Sequence, residues 1–275
     1  MIQLTADNYY TREADMAYVS VSQYKNFYGT TQKPGCEECA LAIIRGDYEP
    51  PVTDALLIGS YVDAYFDNSL DKFKEEHAEL FSTRGPTKGQ LKAQYQQADV
   101  MIKRCERDEL FMKYMRGDTQ VIMTGEIAGV PVKIKIDSTD GHRITDLKTC
   151  RSLNQTYYAA DVGERINFIE AFGYDTQGAV YQEIYYQNTG KRLPFYIAAV
   201  SKDKTEGIPH PRIAVIQIPD IILNERLIEF ERRVPMIQML KNGEAEPTRC
   251  GVCDYCADTE VLERPISSDE LLSMV

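Results

Sequence analysis

Asp137, Asp146 and Lys148 are the residues of this 275-residue chain whose types and spacing point most clearly to chemistry. Asp146 and Lys148 stand two apart in Arg143-Ile144-Thr145-Asp146-Leu147-Lys148, so on a strand they project from one face. Asp137 closes the run Val130-Pro131-Val132-Lys133-Ile134-Lys135-Ile136-Asp137, and Asp140-Gly141 supplies a turn that folds the two runs together. Two convergent carboxylates are the hard oxygen ligands that Mg²⁺ or Mn²⁺ prefers, and such an ion polarises a phosphodiester and acidifies a bound water. Lys148 would orient or deprotonate that water, or stabilise the charge that develops on phosphorus. An Asp-x-Lys pair alone is more often a solvated strand pair. The aspartate closing the previous strand and the tight turn are what make this one a candidate site.

A second group is made of sulfur. Cys250, Cys253 and Cys256 form C-x2-C-x2-C, a spacing at which thiolates from one tight turn share a metal. Tetrahedral Zn²⁺ or a [4Fe–4S] cluster takes four ligands, so a fourth must come from elsewhere, with Cys36 and Cys39 the candidates. Cys105 and Cys150 read as small buried hydrophobes.

The elements that must position these groups follow from periodicity. β-branched residues over 120–124 and 130–137, with Gly125 and Gly129 between them, predict a hairpin whose second strand continues through Asp140-Gly141 into a third. The uniformly apolar stretch from Leu193 to Val200 predicts a buried central strand, and 213–218 predicts another. Helical spacing marks 54–66, 90–114, 168–187 and 222–241, and Ser20 or Ser22 can cap a helix carrying Tyr24, Phe27 and Tyr28. Residues 70–90 read as a polar surface excursion. The expectation is one α/β domain over 1–275, with a helical part to about 118, a catalytic core over about 119–220 and a C-terminal helix with a cysteine-rich tail from about 221.

Composition excludes several classes. Hydrophobic residues make up 43% and charged residues 27%, the balance of a globular protein. The net charge of -11 opposes long-range attraction to phosphate, so any nucleic-acid site must be locally basic. No apolar stretch approaches the ~20 residues that span a bilayer, no basic and apolar leader opens the chain, and the cytoplasm is the default location.

The run Gly129 to Asp137 followed by Ile144-Thr145-Asp146-Leu147-Lys148-Thr149 resembles the RecB-like motif of the PD-(D/E)XK nucleases, and Gln177-Gly178-Ala179-Val180-Tyr181 resembles the Q-x-x-x-Y motif that follows it on a helix. The chain is most similar to phage-type exonucleases related to RecE. That resemblance implies a central mixed β-sheet flanked by helices and Mg²⁺-dependent hydrolysis of linear duplex DNA from its ends. Gln177 and Tyr181 would border the site. The resemblance also implies recombination beside a single-strand annealing protein, and ring-shaped homo-oligomers. Where many relatives carry a histidine in G-x-x-x-H, Gly59-Ser60-Tyr61-Val62-Asp63 offers Asp63 as a metal ligand. For the upstream glutamate of some relatives, Glu126 is the nearest candidate and Gln120 the alternative position. Subfamilies that hold a [4Fe–4S] cluster with one N-terminal and three C-terminal cysteines favour Cys36 as the fourth ligand. The competing reading is a non-catalytic member of the fold that binds DNA or protein on a cysteine-bound metal scaffold.

Overall fold

The computed structural model of the protein describes residues 2–262, 264, 265 and 267–269. The N-terminal part is helical, with α1 (Arg12–Ala17), α2 (Val21–Tyr28), α3 (Glu37–Arg45), α4 (Asp54–Phe66), α5 (Leu70–Glu76), α6 (Ala93–Glu106) and α7 (Glu109–Met115). Ser20 caps α2 by accepting the Gln23 N–H, and Thr53 caps α4 by accepting that of Leu56. The excursion at 70–90 contains one short α-helix and two single 3-10 turns, Ala78–Leu80 and Gly85–Thr87. The periodic stretch 90–114 divides in two because Asp108 accepts the Phe111 N–H and starts a new helix.

Three antiparallel strands follow, β1 (Asp118–Ile127), β2 (Val130–Thr139) and β3 (Ile144–Cys150), then α8 (Phe168–Ala171) and α9 (Tyr174–Thr189). The predicted helix over 168–187 breaks at Gly173, whose φ of +62° is a left-handed conformation that glycine adopts without strain. β4 (Phe195–Ser201) returns parallel to β3, and β5 (Ile213–Gln217) pairs antiparallel with β4. Among the described residues the last helices are α10 (Asp220–Asn242) and α11 (Asp254–Asp258). The result is an α/β fold with a mixed five-stranded sheet in the order β5-β4-β3-β2-β1, flanked by helices.

Strand alternation sorts the core into two layers. Ile197 and Ala199 of β4 pack into the cluster with Phe27, Val180, Ile184, Phe230 and Val234 from α2, α9 and α10. Ala198, Val200 and Leu147 pack on the other side with Ile58, Val62, Met101 and Phe111 from α4, α6 and α7. Asp146 and Lys148, flanking Leu147, therefore face the α2–α9 side. Among the described residues no helix is long and apolar enough to cross a membrane.

Two glycines set how closely helices approach this sheet. A Cβ on Gly59 would stand 3.2 Å from Thr149 Oγ1, so α4 lies tight on β3 one turn before Asp63. On Gly178 it would stand 2.6 Å from Phe195 Cδ1 and 2.9 Å from Leu223 Cδ2, so α9 touches β4 next to Gln177. Overpacking of this kind costs about 1–3 kcal/mol, more than the ~1 kcal/mol that alanine recovers in helix propensity. Gly178→Ala should therefore lower stability in chemical denaturation, and unchanged or higher stability would show that α9 has room to move.

Candidate active site

The site lies where β2 and β3 part. These strands keep only two ladder pairs, Ser138–Thr145 and Thr139–Ile144, beside their turn. The next step is taken by a side chain: Asp137 Oδ2 accepts the Leu147 N–H at 2.8 Å. The strands separate beyond it, and Val19 fills the freed edge of β2, giving its N–H to Pro131 O and accepting that of Lys133.

Asp146 is 1% exposed, and Gln177 Nε2 donates to its Oδ1 at 2.6 Å. Lys148 Nζ stands 2.5 Å from Oδ2 of Asp146, an ion contact. Asp63, Asp137, Asp146, Lys148, Gln177 and Tyr181 border one cleft of about 320 Å³. Asp63 reaches it from α4, and its side chain is open to the cleft although protein surrounds it. Tyr181 is buried, its ring edge-on to Phe195 at 6.2 Å.

The charges constrain one another. Desolvation, and then the charge of Asp146, hold the Asp137 carboxyl well above the ordinary carboxylate range. Desolvation in the cleft pushes Asp63 up to about 7, with Asp146 adding to the rise and Lys148 opposing it. Burial works to lower Lys148, but Asp146 and Asp137 overcome it and keep the ammonium charged. Lys25 of α2, less sheltered by carboxylates, is brought down to about 7 by desolvation and by Lys148. Both ammonium groups lie against the Tyr174 ring, at 4.9 Å for Lys25 and 5.0 Å for Lys148.

Glu126 does not belong to this group. It is exposed and pairs with Pro131 at the far end of the β1–β2 hairpin, six residues or roughly 20 Å of strand from Asp137. Gln120 is the residue opposite Asp137, in a bulged conformation with φ +53°, and it borders a small recess with Asp63 and Asp137. The upstream position thus carries a neutral amide. Sequence reasoning also passed over Lys25, Tyr174 and Lys135. The alternation Lys133-x-Lys135-x-Asp137, which places three charged residues on one strand face, was the available signal.

The sulfur site assembles as the spacing suggested. The thiol sulfurs of Cys36, Cys250, Cys253 and Cys256 all lie within 4.8 Å of one another, with Cys36–Cys256 at 3.6 Å and Cys250–Cys256 at 4.0 Å. Cys39 packs beside them without joining the four. Backbone N–H groups of Val252 and Cys253 outweigh burial and bring the Cys250 thiol down to about 7. Glu37 accepts the Thr248 N–H and Glu38 pairs with Arg249 at 2.9 Å, so the tail is clamped on α3. Thiolates on one tetrahedral Zn²⁺, with bonds of ~2.3 Å, stand about 3.8 Å apart. The four sulfurs, all within 4.8 Å of one another, are nearer that spacing than the wider one of a cubane that takes one thiolate at each of four irons.

Residues 20–259 match the family described as PDDEXK-like domain of unknown function, DUF3799. The chain belongs to this PDDEXK-like family. A crystal structure described as a "Putative exonuclease" from Eubacterium rectale is 46% identical, with full coverage of both chains and a TM-score of 0.92. The structure of SSO0001 shares 12% identity over 70% of this chain and 81% of that one, at a TM-score of 0.29 that carries no argument. No curated protein matches.

The donor set of this PDDEXK-like cleft fits a divalent cation: hard carboxylate oxygens gathered in one cleft, two of which resist ionising beside Asp146. Because Asp63 and Asp137 bind protons more tightly in the folded chain, the metal-free fold loses stability as pH rises from the ordinary carboxylate range, about 4, toward 7. A cation competes with those protons. Mn²⁺ should therefore raise the Tm more at pH 8 than at pH 5.5, with the difference shrinking in Asp63→Asn. An equal rise at both pH values in the unaltered protein would contradict this.

Proposed function

We propose that the protein is a metal-dependent deoxyribonuclease that hydrolyses phosphodiester bonds from the ends of linear DNA. The observation that carries this reading is the opened hairpin, which sets Asp137, Asp146, Lys148 and Gln177 around one cleft. The relative from Eubacterium rectale, similar over the whole chain and described as a "Putative exonuclease", supports a nuclease reading. The resemblance to phage-type exonucleases extends the proposal to recombination beside a single-strand annealing protein and to a ring-shaped oligomer.

Asp137 and Asp146 would hold Mg²⁺ or Mn²⁺, with Asp63 as a third oxygen donor. The bound ion would polarise the phosphodiester and acidify the attacking water. Lys148, paired with Asp146, would face the charge that grows on the phosphoryl oxygens or orient the attacking water. Gln177 fixes the rotamer of Asp146 through Oδ1 and leaves Oδ2 toward Lys148. The cysteine site would be a structural zinc that ties the tail to α3 across more than 200 residues of sequence, with a [4Fe–4S] cluster as the reading from resemblance.

With Mg²⁺ or Mn²⁺, purified protein should shorten end-labelled linear duplex and spare closed circular DNA. Asp146→Asn and Lys148→Met should each slow the reaction by about 10²- to 10³-fold without loss of fold. Intact linear DNA, or equal attack on the circle, would overturn the assignment. Elemental analysis of the same preparation should give one zinc per chain, while iron with acid-labile sulfide would assign the cluster instead.

A further inference from the structure

The segment before α2 lies outside the family match, which begins at residue 20, yet it forms one wall of the cleft through Tyr9, Tyr10 and Asp15. It is fastened there by the catalytic strand itself. Lys133 is 2% exposed, and its ammonium donates to Tyr9 O at 2.5 Å and to Asp15 Oδ1 at 2.7 Å. A buried ammonium must be satisfied, and both of these hydrogen-bond partners come from this segment. Further ties fix the rest: Tyr18 OH donates to Ile2 O at 2.7 Å, and Gln23 Nε2 donates to Asp15 O at 3.1 Å.

Two residues along β2 on the same face, Lys135 lines the cleft between Lys133 and Asp137. Its Nζ stands 4.5 Å from the centre of the Tyr10 ring. Tyr10 itself is 70% exposed, while Tyr9 beneath it is buried and meets it edge-on at 4.9 Å. The ring thus rests against Tyr9 and Lys135 at the cleft that Asp137 also lines, with most of its surface open to solvent. Aromatic faces beside cations are how proteins hold single-stranded nucleic acid, the ring stacking on a base and the cation meeting the adjoining phosphate.

We infer that Tyr10 and Lys135 form a binding platform for the strand entering the cleft, with Tyr10 stacking on a nucleobase and Lys135 neutralising a flanking phosphate. This deepens the nuclease reading and rests on it for the substrate. It also places local positive charge where a chain of net charge -11 needs it. Lys133 is the positioning residue that holds the platform on β2.

The test is fluorescence anisotropy with a labelled single-stranded oligothymidylate without added Mg²⁺ or Mn²⁺, so that binding is read without turnover and the cysteine site keeps its metal. Tyr10→Ala should weaken binding about tenfold, Tyr10→Trp should bind at least as tightly as the unaltered protein, and Lys135→Gln should weaken binding and lower the salt slope by about one. Tyr186→Ala, which removes an exposed ring packed on Arg192 outside the cleft, serves as the control and should bind normally. Thermal unfolding of each variant confirms the fold. Unchanged binding by Tyr10→Ala, loss of binding in Tyr10→Trp, or no binding by the unaltered protein would overturn the platform. Retained binding by a protein that leaves DNA intact in Mg²⁺ would instead overturn the nuclease reading alone.

Discussion

The hydrogen bond from the Leu147 N–H to the Asp137 carboxylate joins the sheet to its chemistry. A backbone donor in the middle of a strand ordinarily finds a carbonyl on the next strand. Here a side chain takes that place, and β2 leaves β3 after two ladder pairs. Everything in the cleft follows from the gap. β3 turns to β4 for its pairing along its whole length, β2 recruits Val19, and the chain segment that Val19 brings with it closes the cleft from the side. Had Asp137 been an ordinary strand residue, the hairpin would zip further and no space would exist beside Asp146.

The gap gathers charge that protein alone neutralises poorly. Asp137 and Asp63 resist ionising beside Asp146, while Lys148 stays charged between them. Unequal titration of neighbouring groups at a cleft is the electrostatic mark of a functional site. The helices keep the arrangement rigid: glycines at 59 and 178 let α4 and α9 lie close on β3 and β4, so Asp63 and Gln177 arrive from backbone that packing has fixed. The sulfur site performs the same service at a distance, holding the tail against α3 and so against α2, whose Lys25 shares the Tyr174 ring with Lys148.

Much of this is legible in the residues because strands and short motifs encode local geometry. The β1–β2–β3 meander, Asp146 with Lys148 on one face, Asp63 inside an apolar helix and the C-x2-C-x2-C turn all follow from periodicity and spacing. What the residues hide is register and long-range approach. Glu126 and Gln120 lie on the same strand, and only the pairing of Thr119 with Ser138 and Val121 with Ile136 reveals which one faces Asp137. Cys36 and Cys39 are equally eligible until the start of α3 turns one of them toward the tail. Tyr10 comes from a segment more than 100 residues before Asp137, so nothing in its neighbourhood signals that it lines the cleft.

The central claim is that the opened hairpin is a cation site built from Asp137 and Asp146. Anomalous diffraction from a crystal soaked in Mn²⁺ addresses it most directly, because the ion is located without reference to activity. The account predicts a peak within bonding distance of carboxylate oxygens of both Asp137 and Asp146, about 2.0–2.3 Å away. A crystal with no peak there, or with manganese bound elsewhere while Lys148 remains paired with Asp146, would contradict it.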